Sequence, residues 1–495
     1  MGQPPHNRPL IGLLHSWRQD RLLRQVLKNS AYLFSSGGIA AALGMLQGIF
    51  AVRLLGADGY GLVSGTVIVF ASNIHRLFSF RMSEMVVRYL RQALADGNKA
   101  QAAAVVQIAA AIEALTSLLA YLVLLGLAPL AARYFAKDPA TLPFFVIYGA
   151  VLLSNLVYET STGVLQALRR FDRIAVVNLA QSIVTALLIG LIFWTQQMLH
   201  WADPQSAALA VLLAYLAGKT LAGLALPILA FQRLRQELGP AVFLLPTAVV
   251  FTDPHSPLPT SHSPLPTAYS LLSTLKTAPL GEMLRFAIST NLSGTINLIV
   301  RDSETLLISF FMNTSAAGYY RLAQSFIALV VTPIDPLIAP TYTEITRTIA
   351  QHDWRSTRRL LKRVSILAAG WTGAAALGLG LAGWAVIPWL YGAEMFPAYW
   401  VLMVLLLGYG VANTFQWNRP LLLALGKPAF PLIVAALAGL LKTLLSITLL
   451  PVAGYLAEAV ILSAYFVVSV GVLVWRGLTL IQHQESDENR LHHRL

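Results

Sequence analysis

The chain of 495 residues contains no cysteine, which removes disulfides, thiol nucleophiles and thiolate metal sites at once. Charge is almost as scarce. Only 12% of the residues are Asp, Glu, Lys or Arg, about half the ~25% usual in soluble domains. The two or three soluble domains that this length would ordinarily suggest are therefore excluded. A phosphate-binding loop is missing as well: Leu213 stands where the first glycine of a motif ending Gly218-Lys219-Thr220 would be. His492 and His493 sit in a polar tail without further metal ligands. Neither a metal nor a cofactor is expected, and no stretch between apolar runs on the less basic side is long enough for a transferase domain. A cleavable leader is not expected either, because residues 1–30 are polar and basic, without a short apolar core before a small-residue cleavage site. Leu10, Leu13, Leu14 and Trp17 lie at helical spacing beside Arg18, Arg21 and Arg24. That pattern suits a helix on a membrane surface, and an unstructured basic leader suits it equally well.

What the chain has in abundance is apolar length. Hydrophobic residues make up 56% and mean hydropathy is +0.65. They come in blocks of about 20, the number needed to cross ~30 Å of hydrocarbon as a helix. Runs bounded by charge, Gly and Pro give spans near 31–52, 61–80, 102–126, 143–165, 174–194 and 207–231. A second set follows near 286–311, 320–342, 364–390, 397–417, 428–450 and 454–475. Lipid offers no partner to a backbone polar group, so these runs must be helices. The expected fold is all-α, with about twelve transmembrane helices in two six-helix bundles.

Lys and Arg crowd alternate loops: Arg18, Arg21, Arg24 and Lys28; Arg88, Arg91 and Lys99; Arg169, Arg170 and Arg173; and Arg355 to Arg363. The opposite side has little beyond Arg53, Arg133 and Lys137. This bias places both termini in the cytoplasm and accounts for the net charge of +13 without nucleic acid.

The two sets of spans echo one another. Ala57-Asp58-Gly59-Tyr60 is matched by Ala316-Ala317-Gly318-Tyr319 at an offset of 259, and Leu165-Gln166-Ala167-Leu168 by Leu422-Leu423-Ala424-Leu425 at 257. An even number of spans separates the copies, so the halves should share one orientation about an axis along the membrane normal. The expected organisation is a basic segment over 1–30, an N-lobe over 31–231, a linker over 232–282, a C-lobe over 283–477 and a tail over 478–495. The linker carries a tandem heptapeptide, residues 255–261 and 262–268, whose prolines favour an extended tether. A segment binding some partner is the alternative.

Three stretches carry a family resemblance: Glu304-Thr305-Leu306-Leu307-Ile308 through Gly318-Tyr319-Tyr320 to Ala323, Leu165 to Phe171, and Gly426-Lys427 through Pro451 and Gly454 to Ala459. With them, about residues 27–475 resemble the polysaccharide-export branch of the multidrug/oligosaccharidyl-lipid/polysaccharide exporter superfamily. Glu304 stands where Asp is usual, and the Pro-rich insertion is longer than the family's ordinary linker. The resemblance implies two bundles forming a V around a cavity that opens alternately to each side of a bacterial inner membrane. It implies a flippase for undecaprenyl-diphosphate-linked oligosaccharide, an O-antigen or exopolysaccharide repeat unit. Its implied partners are that substrate, membrane lipids, a coupling ion (proton or sodium) and polysaccharide polymerase or ligase machinery. A cation-coupled multidrug exporter of the same superfamily is the second reading, and a membrane glycosyltransferase or glycan ligase the third.

A diphosphate headgroup needs cations, and a charge at mid-membrane costs at least about 2.5–3.5 kcal/mol. Lys219, Arg301 and Lys442 are expected deep in the sixth, seventh and eleventh spans, with Arg76 and Arg321 nearer span ends, where snorkelling is an alternative. Ser293, Asn297, Arg301 and Thr305 recur every four residues, a polar stripe if the seventh span is one helix. Glu304 lies three residues after Arg301, placed to pair with it or to position phosphate or accept a coupling proton. Glu113, Glu159 and Asp335 are further acids expected to be buried, Asp335 between Pro333 and Pro336. Gly44 and Gly48 form a small-xxx-small motif that reads as helix packing.

Overall fold

The computed structural model describes residues 21–199, 203–239, 280–298 and 302–492. The basic leader, the tandem heptapeptide and Arg301 therefore fall outside the described residues. Among those described, the chain is helical and without strands.

The first half comprises α1 (Arg21–Tyr60), a π-helical run Gly61–Val67, α2 (Ile68–Phe78), α3 (Met82–Ala95), α4 (Lys99–Tyr134), α5 (Leu142–Gly149), α6 (Val151–Ser154), α7 (Tyr158–Ala167), α8 (Phe171–Leu199) and α9 (Pro204–Leu238). The second comprises α10 (Leu280–Asn297), α11 (Glu304–Phe311), α12 (Thr314–Val331), α13 (Ile338–Ala350), α14 (Trp354–Tyr391), α15 (Pro397–Thr414), α16 (Asn418–Ala424), α17 (Ala429–Ala453) and α18 (Tyr455–His492). Helix starts are fixed by side chains that accept otherwise orphaned backbone N–H groups. Asn98 accepts from Gln101 at α4, Asn313 from Ala316 at α12 and Asp353 from Ser356 at α14.

Nine helical stretches among the described residues are long and apolar enough to cross a membrane, fewer than the twelve expected. One of them, Gly37–Ala95, is 59 residues long, too long for one crossing, and it turns where Gly56 takes a φ of 71°. The region expected to hold the seventh and eighth spans is instead divided among the shorter α10 to α13. The faces turned outward are apolar, as on α17, where Leu432, Ile433, Leu437, Leu440 and Leu444 are exposed. Contiguous apolar exposure of this kind suits lipid and not water.

Two bundles result. In the first, α8 packs against α1 and α9, and α3 against α4 and α7; in the second, α18 packs against α15 and α17, and α14 against α13 and α15. They meet where α12 crosses α1 and the π-helical run, and this junction brings the two copies of the first sequence repeat face to face. A Cβ on Gly61 would collide with the carbonyl oxygen of Thr314, and one on Gly318 would lie 2.7 Å from that of Ala57. Glycine is needed there because two backbones touch. Around this contact Asp58 accepts from the hydroxyls of Thr314 and Ser315. Arg53 donates to the carbonyls of Trp389 and Leu390, and Lys137 to that of Met312.

The second repeat is a shared helix ending. Arg170 N–H donates to Leu165 and Arg169 N–H to Gln166, as Lys427 donates to Leu422 and Gly426 to Leu423. Arg169 and Gly426 both have positive φ, 59° and 72°, so each copy closes in a Schellman motif. A third pair is visible only in the backbone. Gly97 and His352, also of positive φ, end α3 and α13 ahead of the capping residues Asn98 and Asp353. The small-residue motif in α1 is half used: Gly48 lies 3.7 Å (as a Cβ) from Tyr391, whereas Gly44 faces open space.

Candidate functional site

The seventh span does not continue as one α-helix. Regular helix stops at Asn297 and resumes at Glu304, with Leu298 and Asp302 in wider π-type turns. A π-type turn holds more residues than an α-helical one; Arg301, at the centre of the expected stripe Ser293–Asn297–Arg301–Thr305, is outside the described residues. Asn297 ends α10, and the side chains of Ser293 and Asn297 are outside the described set. The two parts of this span also pack differently. α10 lies on α2 and α3 of the first bundle, where Asn291 donates to the carbonyls of Leu77 and Ser79. α11 contacts α12, α17 and α18 of its own bundle, together with the π-helical run and α2 of the first.

This division explains the fate of Glu304. Its expected partner was Arg301, one turn away, but among the described residues its partner is Lys442, on α17. Lys442 Nζ lies 3.1 Å from Glu304 Oε1 and 2.7 Å from Glu458 Oε1 on α18. Glu304 and Glu458 are 0% exposed and Lys442 2%. Lys442 was expected in the substrate cavity; its ammonium is instead sealed between two carboxylates, because α11, α17 and α18 converge behind the bundle's inner wall. Sequence reading missed Glu458. An acid inside an apolar run was the available signal, but its place near the start of the last span resembles an interfacial position.

The other cations form a second, accessible group. Lys219, midway along α9, is exposed and lies close enough to His75 of the first bundle to interact with it electrostatically. Arg76, next to His75, reaches across to Asp302, 2.6 Å away, in a pair whose side chains are about half exposed. Arg321 on α12 is half-buried, and among the described residues no acceptor or acid pairs with it. Across the junction it is close enough to interact electrostatically with Tyr60, Tyr148 and Tyr215. Three helical segments of the first bundle supply those tyrosines, so no local spacing could have grouped them. Tyr60 and Tyr148 are buried and Tyr215 half-buried, so what the arrangement offers an anion is the guanidinium itself.

The remaining predicted acids separate. Glu113 on α4 is buried and accepts from the backbone N–H groups of Glu159 and Thr160, at 2.7 and 2.8 Å. It thereby satisfies the start of α7. Glu159 accepts from the Ser79 hydroxyl at 2.6 Å. Asp335 is exposed at the turn between α12 and α13 and makes no side-chain cap there. No group of three or more metal-ligating side chains occurs among the described residues.

Comparison with known proteins places this geometry. A family profile described as polysaccharide biosynthesis protein matches residues 26–341. The inner membrane protein YghQ of Escherichia coli (strain K12) is 28% identical over 163 residues, 32% of this chain and 44% of that protein. The match thus spans less than half of that relative's length. An inward-facing multidrug resistance MATE family transporter of the MOP superfamily superposes with a TM-score of 0.64 at 13% identity, covering 91% of this chain and 96% of the other. The lipid II flippase MurJ in an inward closed conformation gives 0.61 at 14%, covering 92% and 90%. A MATE family transporter in an outward-facing conformation gives 0.54 at 13%, covering 93% and 96%. Such identities establish a shared fold. Because the profile covers well over half of an all-helical, multi-span membrane chain with this architecture, the chain belongs to the polysaccharide biosynthesis protein family.

Proposed function

We propose that the protein is a transporter that flips an undecaprenyl-diphosphate-linked oligosaccharide across the bacterial inner membrane by alternating access. The observation that carries this reading is Arg321: an arginine without an acidic partner among the described residues, held at the junction of the bundles beside three tyrosines. A planar guanidinium grips two phosphate oxygens at once, and the three tyrosines, Tyr60 and Tyr148 of them buried, stand beside it in the first bundle. Lys219 adds a second cation in the first bundle, whereas Arg76 is neutralised by Asp302. Arg301 remains a proposed second phosphate ligand from the seventh span. Closure through Gly61, Gly318 and Asp58 at one end supplies the barrier on which alternating access depends, and membership of a polysaccharide biosynthesis family supports a glycan cargo.

The test is flipping of lipid-linked oligosaccharide by the reconstituted full chain, normalised to folded protein. Arg321→Ala is expected to abolish flipping without changing thermal stability, and Arg321→Lys to restore part of it, since an ammonium retains charge but loses the fork. Full flipping by Arg321→Ala would remove the arginine from the site. Export of cationic drugs in place of the glycan would favour a multidrug exporter.

A further inference from the structure

The cluster Glu304–Lys442–Glu458 has an imbalance that the substrate groove does not use. Two carboxylates and one ammonium sum to one negative charge, and all three side chains are sealed from solvent. Glu304 Oε2 and Glu458 Oε2, the oxygens turned away from the ammonium, are buried without a hydrogen-bond donor, and so is the hydroxyl of Tyr320 on α12, a residue that is 0% exposed. Tyr409 on α15 is the remaining titratable neighbour, close enough to influence Tyr320 electrostatically. No second cation faces the cluster among the described residues. An uncompensated charge in such a place is costly, and orphaned oxygens mark where its neutraliser would sit.

We propose that this cluster is a proton-binding site: the ammonium of Lys442 is already lodged between the two carboxylates, so the remaining charge is met by a proton and not by sodium. One proton, arriving from water as hydronium, forms an O–H bond at an orphaned oxygen of Glu304 or Glu458. The cluster becomes neutral, and the new hydroxyl can donate to the other carboxylate or to Tyr320. Loss of the proton to water on the opposite side restores the charge. The position suits coupling: Glu304 lies on α11, directly after the interrupted seventh span, and Tyr320 lies on α12, one residue from Arg321 and within the helix that closes the bundle junction. Binding therefore alters the packing of α11 and α12, the elements by which the second bundle touches the first. As a coupling site this rests on the transporter reading; as a proton site it does not.

The experiment separates the two. Infrared difference spectra of the purified full chain, recorded across a pH titration, should show the carbonyl stretch of a buried protonated carboxyl. Glu304→Gln and Glu458→Gln, near-isosteric changes, should each remove or shift that band, and sodium should leave it unchanged. Absence of the band, or its persistence unaltered in both variants, overturns the proton site. Displacement of the band by sodium overturns the assignment of Lys442 as the resident cation. In liposomes, flipping driven by a pH gradient should be lost in both variants, and changing sodium should have no effect. If the band behaves as expected but no glycan is flipped by the unaltered protein, the substrate reading fails while the proton site stands. A band present together with gradient-driven flipping that survives in both variants overturns its role in coupling.

Discussion

Two sets of charges lie inside these helices and are held in opposite ways. Arg76 and Lys219 are exposed and Arg321 half-buried, and Arg321, at the junction of the bundles, has no acidic partner among the described residues. Glu304, Lys442 and Glu458 are sealed within one bundle and touch each other. Both sets come from the same kind of sequence signal, a charge inside an apolar run, and both carry the same mid-membrane cost. The difference is how that cost is met. Accessible cations keep water or a ligand, so removing one should leave the fold intact and alter binding. Sealed charges are met by each other, so removing one strands the rest. Depth in the membrane therefore does not identify a binding residue; access does.

The largest effect should come from breaking the sealed set at its centre. Lys442→Met leaves two buried carboxylates side by side and should destabilise the protein by about 3–5 kcal/mol, as expected for a lone partner of a buried pair. Thermal unfolding in detergent measures this, and adding Glu304→Gln and Glu458→Gln together should recover most of the loss. A stable Lys442→Met that merely fails to flip substrate would move Lys442 into the accessible set. Gly61→Ala comes next, at about 1–3 kcal/mol, since a methyl would overpack the backbone of Thr314. It should also favour opening of the junction, readable as reduced crosslinking between cysteines introduced at 58 and 315 in this cysteine-free chain. Unchanged crosslinking would show that the contact is not the barrier.

Glu113→Ala tests a buried carboxylate whose oxygens accept from backbone N–H groups. It leaves two N–H groups at the start of α7 without their acceptor and should cost about 1–3 kcal/mol, while the cargo dependence of flipping stays as it was. A change in apparent substrate affinity would place Glu113 in the groove after all.

The smallest effect contrasts the two bundles at matched caps. Asp353 begins α14 where Asn98 begins α4, and hydrogen bonding by Ser356, through its hydroxyl and then its backbone N–H, holds the Asp353 carboxyl below the usual range. A lowered folded-state value means that the cap's stabilisation is present above the unfolded value and is lost as pH falls through the folded one. Acidification should therefore speed amide exchange at Ser356 and leave Gln101, capped by uncharged Asn98, unaffected. Equal acceleration at both would mean that the charge does not distinguish the caps.

Much of this was legible in the chain itself. Apolar length required helices, and two repeats announced a duplicated architecture. The Leu165–Leu168 and Leu422–Leu425 copies proved to be matching Schellman endings, since local hydrogen bonding is encoded by a few adjacent residues. The duplication of Gly97 and His352 escaped notice because backbone handedness can be met by different side chains. The interruption of regular helix in the seventh span, where Leu298 and Asp302 lie in π-type turns ahead of α11, has no obvious mark in the sequence.

Composition and spacing alone determined that this is a multi-span helical membrane protein built from two related halves, because the bilayer imposes length, apolarity and internal hydrogen bonding on each segment separately. Which charges face each other was decided only by tertiary structure. Glu304 is three residues from Arg301 and 138 from Lys442, yet among the described residues it is the distant lysine that it meets. Arg321 and its three tyrosines likewise come together from helices far apart in the chain. A buried charge is stabilised by whatever stands within a few ångströms of it, and in a bundle of long helices those neighbours come from other helices, whose order in the chain does not reveal their rotation or depth.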